Sequence, residues 1–502
     1  MLPLMRIFYK WMGMGKICSE IKKRGRFRYD FESIMSMLCF GRILCPDSKL
    51  STLQSGRSFI EPAKASIEDV YLALGVMARE SNYIQKEIYH NTQAVEKRNT
   101  GVVYYDCSNY YFEIEKDDKD RIGRDGSVRL GLRKYGHSKE NRPNPIVQCG
   151  LFMDADGMPL AFCVNPGNTP ETQTIIPLEE NLANDFDLSD FVCCTDGGLG
   201  AKDVRKYNKT EGRHYITVQS LKDKKCEAQI QQWALEDSNW HIPGLDGTYT
   251  IAEAAAELGE TRFPETRLYK DRWFILSDGT EEHIIVTYSQ KYADYQKATR
   301  NEQVARAIKK IERGQSTTPK SPNDCRRFIT TIHTAPGGEL AEKSISVIDQ
   351  EKVDKESRFD GFYALATSLD DDALSILKAS SFRNEIEALF RVTKTDLSLR
   401  PIYLQRSERI LGHFIVCFIA LLMIKSLQKE IARQSGSQIS VENIISELRT
   451  LNYTFREGIG YVPKFDPSPL KDIFNAITGQ VLDAEVIPNK TMRHTLRKLS
   501  EG

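Results

Sequence analysis

The run Phe191-Val192-Cys193-Cys194-Thr195 has no polar face: apolar and small side chains follow one another until Asp196, Gly197 and Gly198 break it. A strand with one face in water alternates, so a run without alternation belongs to a strand covered on both faces, as in layered α/β proteins. β-type runs precede it at residues 102–105, 110–114, 146–153 and 160–164. The last two are joined by Asp154-Ala155-Asp156-Gly157, a good hairpin turn. A helix is expected from Glu171. The order is four β-type runs, a helix and a further run, and the first and last of these runs each end at an aspartate, Asp106 and Asp196. The expected fold class is therefore α/β, with two carboxylates carried to the ends of neighbouring strands.

A chain of 502 residues exceeds one ordinary core, so about two to four domains are expected. Residues 1–100 read as helical. Phe31-Glu32-Ser33-Ile34-Met35-Ser36-Met37-Leu38 has helical apolar spacing, and Ser66 followed by Asp69 forms the pattern of a capping box. Residues 101–204 hold the strands just described. Residues 205–357 read as a β-rich stretch interrupted by a basic helix at 293–312. A strand at 362–367 and further helices fill 358–427, and residues 428–502 look mixed and peripheral, a region with a candidate role in dimerisation.

Lys+Arg and Asp+Glu both total 69, so net charge selects no partner. Local charge is less even. Arg121, Arg124, Arg129, Arg133, Lys134, Lys139 and Arg142 stand against Asp125 and Glu140. A second basic segment spans residues 297–327. Such segments suit a nucleic-acid groove, although solvated charged helices produce them too. The 11 cysteines show no C-x-x-C pair, which argues for a reducing cytoplasm and against a disulfide framework or zinc finger. Arg6, Lys10 and Lys16 interrupt the start, leaving no signal-peptide core. The apolar run at 414–424 is shorter than the ~20 residues needed to span a bilayer. It reads as a buried helix, and no membrane partner is expected.

One helical stretch, residues 381–394, sets an acid among cations. At about 100° per residue, Arg383, Glu387, Arg391 and Lys394 fall in one stripe, with Ile386, Leu389 and Phe390 on the flank that faces a core. Taken alone, this is a salt-bridged solvated face, and Asp106 and Asp196 are ordinary turn formers. Taken together, they make a constellation. Carboxylates at the ends of adjacent parallel strands, joined by a third from a helix on the same sheet, supply the hard oxygen ligands that two divalent cations need.

The motifs around these residues resemble those of DDE transposases of bacterial insertion sequences, in the type-four group with a Y-R-E-K signature. Tyr105-Asp106-Cys107-Ser108-Asn109-Tyr110-Tyr111-Phe112-Glu113 is similar to the first-aspartate motif, and Thr195-Asp196-Gly197-Gly198-Leu199 to the second. Between them, Gly136-His137-Ser138-Lys139-Glu140-Asn141-Arg142-Pro143, Gly150-Leu151 and Pro166-Gly167-Asn168-Thr169 follow in the family's order. The signature Y-x2-R-x3-E-x6-K maps onto Arg383, Glu387 and Lys394, and continues through Lys394-Thr395-Asp396-Leu397, Arg400-Pro401-Ile402-Tyr403 and Gly412-His413. Its tyrosine position holds Ser380, and the amino-terminal region is short for the group.

The resemblance implies an RNase H-like catalytic core interrupted by the 205–357 insertion. It implies metal-dependent DNA cleavage at element ends and strand transfer into target DNA, with Asp106, Asp196 and Glu387 as catalytic and metal-holding residues for two Mg²⁺ or Mn²⁺ ions. Arg383, Lys394, Arg391, His137, Lys139 and Arg142 are the expected DNA contacts, with Trp273 of the insertion as a candidate base-stacking residue. Terminal inverted repeats and target DNA would be the partners of a homodimer. The alternative is a decayed or truncated derivative that only binds DNA. Glu385, two residues from Glu387, points elsewhere; Asp154 and Asp156 read as turn residues, Asp370-Asp371-Asp372 as a helix cap, and His413 as a packing residue.

Overall fold

Val102–Tyr111 is a single ten-residue strand with a neighbour on each side. The runs expected separately at 102–105 and 110–114 are thus one strand, and Asp106 lies in its interior. Polar residues persist through Asp106, Ser108 and Asn109 because the antiparallel partner Ile146–Asp154 keeps pairing past them, from Val103↔Asp154 to Tyr111↔Ile146. The computed structural model describes residues 2–122, 128–209, 212–223, 225–321, 323–334, 343–479 and 481–501. Arg124 and Asp125 of the first basic segment lie outside them.

The chain forms two compact units, Met1–Arg213 with Ser381–Gly502, and His214–Ser380. In the first, four strands run in the order Pro159–Pro166, Ile146–Asp154, Val102–Tyr111, Val192–Thr195. The first two pairings are antiparallel and the last is parallel. Both faces are covered, as the unbroken apolar run requires. Cys193 belongs to a core with Tyr105, Phe152, Ile175, Leu178 and Leu182, the last three from the helix Thr172–Asp185. On the opposite face Tyr110 meets Phe414 edge-on at 5.3 Å, and Phe162 meets Phe418 at 5.1 Å. Asp154 closes its hairpin by accepting from Asp156 and Met158 N–H, and is fully buried against the Arg98 guanidinium at 2.5 Å.

Helices make up the remainder of this unit. The Ser66–Asp69 capping box is formed and starts Ile67–Arg79. The apolar run at 414–424 is the middle of a 29-residue helix, Ser407–Ser435, long and apolar enough to cross a membrane by length and composition. Yet 89% of its most apolar window is covered by the protein's own side chains. At the chain ends, Leu2–Trp11 packs against Pro469–Thr478 and Asn489–Glu501. All 11 cysteines are free.

In the second unit, His214–Gln219, Phe362–Thr367, Glu281–Tyr288 and Leu268–Ile275 form an antiparallel succession. The core is built around the fully buried Trp240. The expected basic helix is Gln290–Glu312, and Ala228–Leu235 and Ile251–Arg262 also accompany the strands, so this stretch is mixed α/β and more helical than the sequence indicated. The Thr250–Glu253 capping box and the alanines after it account for one of these helices. Much of the second basic segment is neutralised internally: Arg300 pairs with Asp360 at 2.5 Å, Arg326 with Asp324 at 2.8 Å, and Arg327 with Glu356 at 3.0 Å. Asp372 accepts from the N–H of Ser375 at the start of Ala373–Ser381, the expected cap.

Gly412 sets how closely the long helix approaches Ile67–Arg79. A Cβ there would meet the Leu74 carbonyl oxygen at 2.2 Å, main chain against main chain. Gly412→Ala is expected to destabilise by about 2–4 kcal/mol in chemical denaturation. Gly436→Ala, at a left-handed helix end with open space around it, is expected to cost only about 1 kcal/mol.

Candidate active site

Two parallel strands part at the site. Pairing between Val102–Tyr111 and Val192–Thr195 runs from Val102↔Val192 to Tyr105↔Thr195 and ends there. Asp106 and Asp196 are the next residue on each, on strands about 4.8 Å apart. Strand alternation then decides which way they face. The Tyr105 hydroxyl bonds Thr174 Oγ1 at 2.6 Å on one side of the sheet. Tyr104, Asp106 and Tyr110 therefore face the other side, where Asn384–Lys394 lies. Tyr104 meets the Phe382 ring at 5.5 Å, and the Tyr110 hydroxyl meets Thr393 Oγ1 at 2.7 Å. The helix thus runs along the strand in the same direction.

This orientation locates the cationic stripe. Ile386, Leu389, Phe390 and Thr393 are buried, as the apolar flank requires. Arg383 reaches Asp196 Oδ1 at 3.3 Å, and the Lys394 ammonium sits 5.5 Å from the centre of the Tyr110 ring. Glu387 lies four residues from the first and seven from the second, on the stripe between them. Its side chain is exposed.

Burial dominates the electrostatics. It pushes Asp106 up from the ordinary aspartate range to about 6; Lys139 and the Cys107 N–H pull it back, while Glu171 and Asp196 push it further. Lys139 is held above the usual lysine value: burial opposes its charge, but Asp106 and Glu171 more than offset that. Lys394 is lowered, first by burial and then by Lys139. Each aspartate accepts from the N–H of its successor, Asp106 from Cys107 and Asp196 from Gly197, both at 2.7 Å.

Among the described residues no three His, Cys, Asp or Glu side chains are grouped closely enough to hold a metal ion. The expected three-carboxylate set is therefore not gathered here; the two aspartates are adjacent, with Arg383 on one and Lys139 near the other. Two adjacent carboxylates of hard oxygen fit Mg²⁺ or Mn²⁺, since Mg²⁺ is commonly held by one or two carboxylates with water and substrate phosphate completing its shell.

Of the expected DNA contacts, Arg383, Lys394 and Lys139 gather around the two aspartates. Arg391 is exposed, Arg142 lies 4.6 Å from the Tyr111 ring centre, and His137 is exposed on the loop with its carbonyl bonded to Asn109 Nδ2 at 3.1 Å. Trp273 belongs to the other unit, 40% exposed and stacked on His283 at 5.1 Å. Ser380 is buried near the end of Ala373–Ser381. His413 is buried with its Nδ1 3.0 Å from the Lys49 ammonium.

Two acids escape the sequence reading. Glu171 precedes Thr172–Asp185, where an acid is already favoured by the helix N-terminus, so nothing marked it out. Its Oε1 takes the Lys139 ammonium at 3.0 Å. Glu140 pairs with Arg400 and lies 3.9 Å from Lys394, contacts between segments far apart in the chain.

No family model and no curated protein matches this chain. Among solved structures, a piggyBac transposase in a synaptic complex with hairpin DNA aligns over 100% of this chain and 84% of its own. The TM-score is 0.41 and the identity 8%. A likeness at that level carries no weight for either fold or function.

The raised Asp106 value predicts a pH-dependent gain on substitution. Above about pH 6 the folded protein carries a buried charge that the unfolded chain holds in water; below about pH 4 the group is protonated in both states. In chelator, Asp106→Asn is therefore expected to stabilise the protein by about 2–3 kcal/mol at pH 8. The gain should shrink between pH 6 and pH 4, as read from denaturation midpoints across that range.

Proposed function

We propose that this protein is a DDE polynucleotidyl transferase, a transposase that cleaves DNA at the ends of an insertion element and joins them to target DNA. The observation that carries the reading is the adjacency of Asp106 and Asp196 where two parallel strands part, with the cation-flanked Glu387 helix lying along the first of them. The strand order around Val102–Tyr111 supports an RNase H-like core. Of the family motifs, those around Asp106, Lys139, Asp196, Arg383 and Lys394 fall close together, which supports the kinship.

In this mechanism Asp106 and Asp196 would hold Mg²⁺ or Mn²⁺, with the exposed Glu387 as the third carboxylate of the set. The ions, when bound, supply activation of the attacking oxygen and stabilisation of the leaving one. Arg383 and Lys394 bind the phosphates on either side of the scissile bond. Tyr110 and Thr393 fix the helix carrying these cations against the strand carrying Asp106, so the phosphate is positioned by rigid elements. Water attacks the phosphodiester at the element's end and frees a 3′-hydroxyl, which then attacks target DNA at the same site. Positioning and charge neutralisation are most of what phosphoryl transfer requires. A homodimer would hold the two ends together, and 11 free cysteines suit action in the cytoplasm.

A second reading has its own observation. The signature's tyrosine position is the buried Ser380, which offers no ring to DNA, and this favours a derivative that binds element ends without cutting them.

One assay separates the two. Purified protein with Mg²⁺ or Mn²⁺ and a fragment carrying the terminal inverted repeats is expected to give 3′-hydroxyl ends. Asp106→Ala, Asp196→Ala and Glu387→Ala should each lower cleavage by about 10³-fold while mobility-shift binding persists. Binding without cleavage in the unsubstituted protein establishes the second reading instead.

A further inference from the structure

Lys139 stands out among the cations around the two aspartates because it is turned toward the protein. Its ammonium donates to the Cys107 carbonyl oxygen at 2.6 Å and meets Glu171 Oε1 at 3.0 Å. Cys107 is the residue after Asp106, so this ammonium sits at the main chain of the catalytic strand, within the field of Asp106. Lys139 is part-exposed, and its side chain has solvent to extend into. It is bound inward instead.

The loop bearing it is built to deliver it there. Asn109 clasps the loop twice, donating to the His137 carbonyl at 3.1 Å and accepting from the Lys139 N–H at 3.3 Å. Gly136 crosses Gly167 so closely that a Cβ on the first would lie 1.9 Å from the other's carbonyl oxygen, which brings the loop beside the segment leading to Glu171. On the far side of Lys139, Glu140 pairs with Arg400 and approaches Lys394. The main chain is held on both sides of Lys139, and only its side chain has freedom to leave.

We propose that Lys139 is a place-holding cation: in the metal-free protein its ammonium compensates the crowded carboxylates beside Asp106, and a divalent ion entering there drives it out to contact DNA phosphate. This rests on the reading of Asp106 and Asp196 as metal ligands. Lys139 is paired with Glu171 and bound to the main chain beside Asp106, and two cations in the field of Asp106 repel each other, so ion binding and the inward position of Lys139 oppose one another, and linkage makes the effect reciprocal. The exchange is non-covalent. It makes metal loading favour DNA binding and DNA binding favour metal loading, so that cleavage competence waits for both.

Mn²⁺ binding to the full-length, DNA-free protein tests this by paramagnetic resonance or calorimetry. Lys139→Met is expected to bind Mn²⁺ about tenfold more tightly than the unsubstituted protein, and Asp106→Asn to lose that binding. Equal or weaker binding by Lys139→Met overturns the proposal while leaving the metal site standing. If neither protein binds Mn²⁺, the metal-site reading falls and this inference with it. A measurement on the unsubstituted chain avoids any folding defect: the rate at which an amine-reactive reagent labels Lys139, followed by mass spectrometry, is expected to rise severalfold with Mn²⁺ and to be insensitive to Mn²⁺ in Asp106→Asn. A labelling rate unchanged or lowered by Mn²⁺ in a protein that binds it also overturns the proposal.

Discussion

The candidate site depends on where the parallel pairing of Val102–Tyr111 with Val192–Thr195 stops. Up to Tyr105↔Thr195 the strands bond to each other, and one residue later they do not. A paired, covered position would leave the Asp106 carboxylate no route to solvent or substrate, and a position further along would lose its neighbour. Stopping there leaves Asp106 part-buried with Asp196 beside it. On its other edge the same strand continues, pairing as far as Tyr111↔Ile146. Asp106 is therefore rigidly placed on one side and open on the other, the condition for a carboxylate that must hold its position while exchanging ligands.

Crowding carboxylates this way is unfavourable, and the surroundings answer with cations from separate segments. Arg383 comes from the glutamate helix, Lys139 from the loop before Ile146–Asp154, and Lys394 with Arg400 gathers around Glu140. Burial still wins at Asp106, which keeps a carboxyl value near 6 with a lysine close by. Such an arrangement lowers stability to keep charge where it is useful. The remainder of the unit is tightly fitted by contrast, as at Gly412, where two helices touch main chain to main chain.

The parts most legible in the sequence are those governed by local rules. The capping box at Ser66 and Asp69 forms because both reciprocal bonds lie within one turn. The unbroken apolar run at 191–195 is covered on both faces because Cys193 and Cys194 point in opposite directions and each needs a core. The apolar flank of residues 381–394 is buried as its period requires. Less legible was the continuity of Val102–Tyr111, since polar residues at its centre read as a break and only a distant partner strand keeps them paired. Glu171 was hidden for a related reason: an acid ahead of a helix is ordinary, and its partner Lys139 comes from a loop 32 positions earlier in the chain, judged by sequence alone to be a DNA contact.

Sequence alone determined the layered α/β character, the strand that stops at Asp196 and the single acid among cations on a helix, because each follows from side-chain periodicity over a few residues; Asp106, read as a strand end, lies inside Val102–Tyr111. Tertiary structure alone decided which charges answer which. Arg383 turns to Asp196 and Lys139 to Glu171, the glutamate helix runs with the strand beneath it, and the exposed Glu387 forms no closed three-carboxylate group with the two aspartates. The physical reason is range: periodicity acts between neighbours in the chain, whereas charge and burial act through space, between segments that only the completed fold brings together.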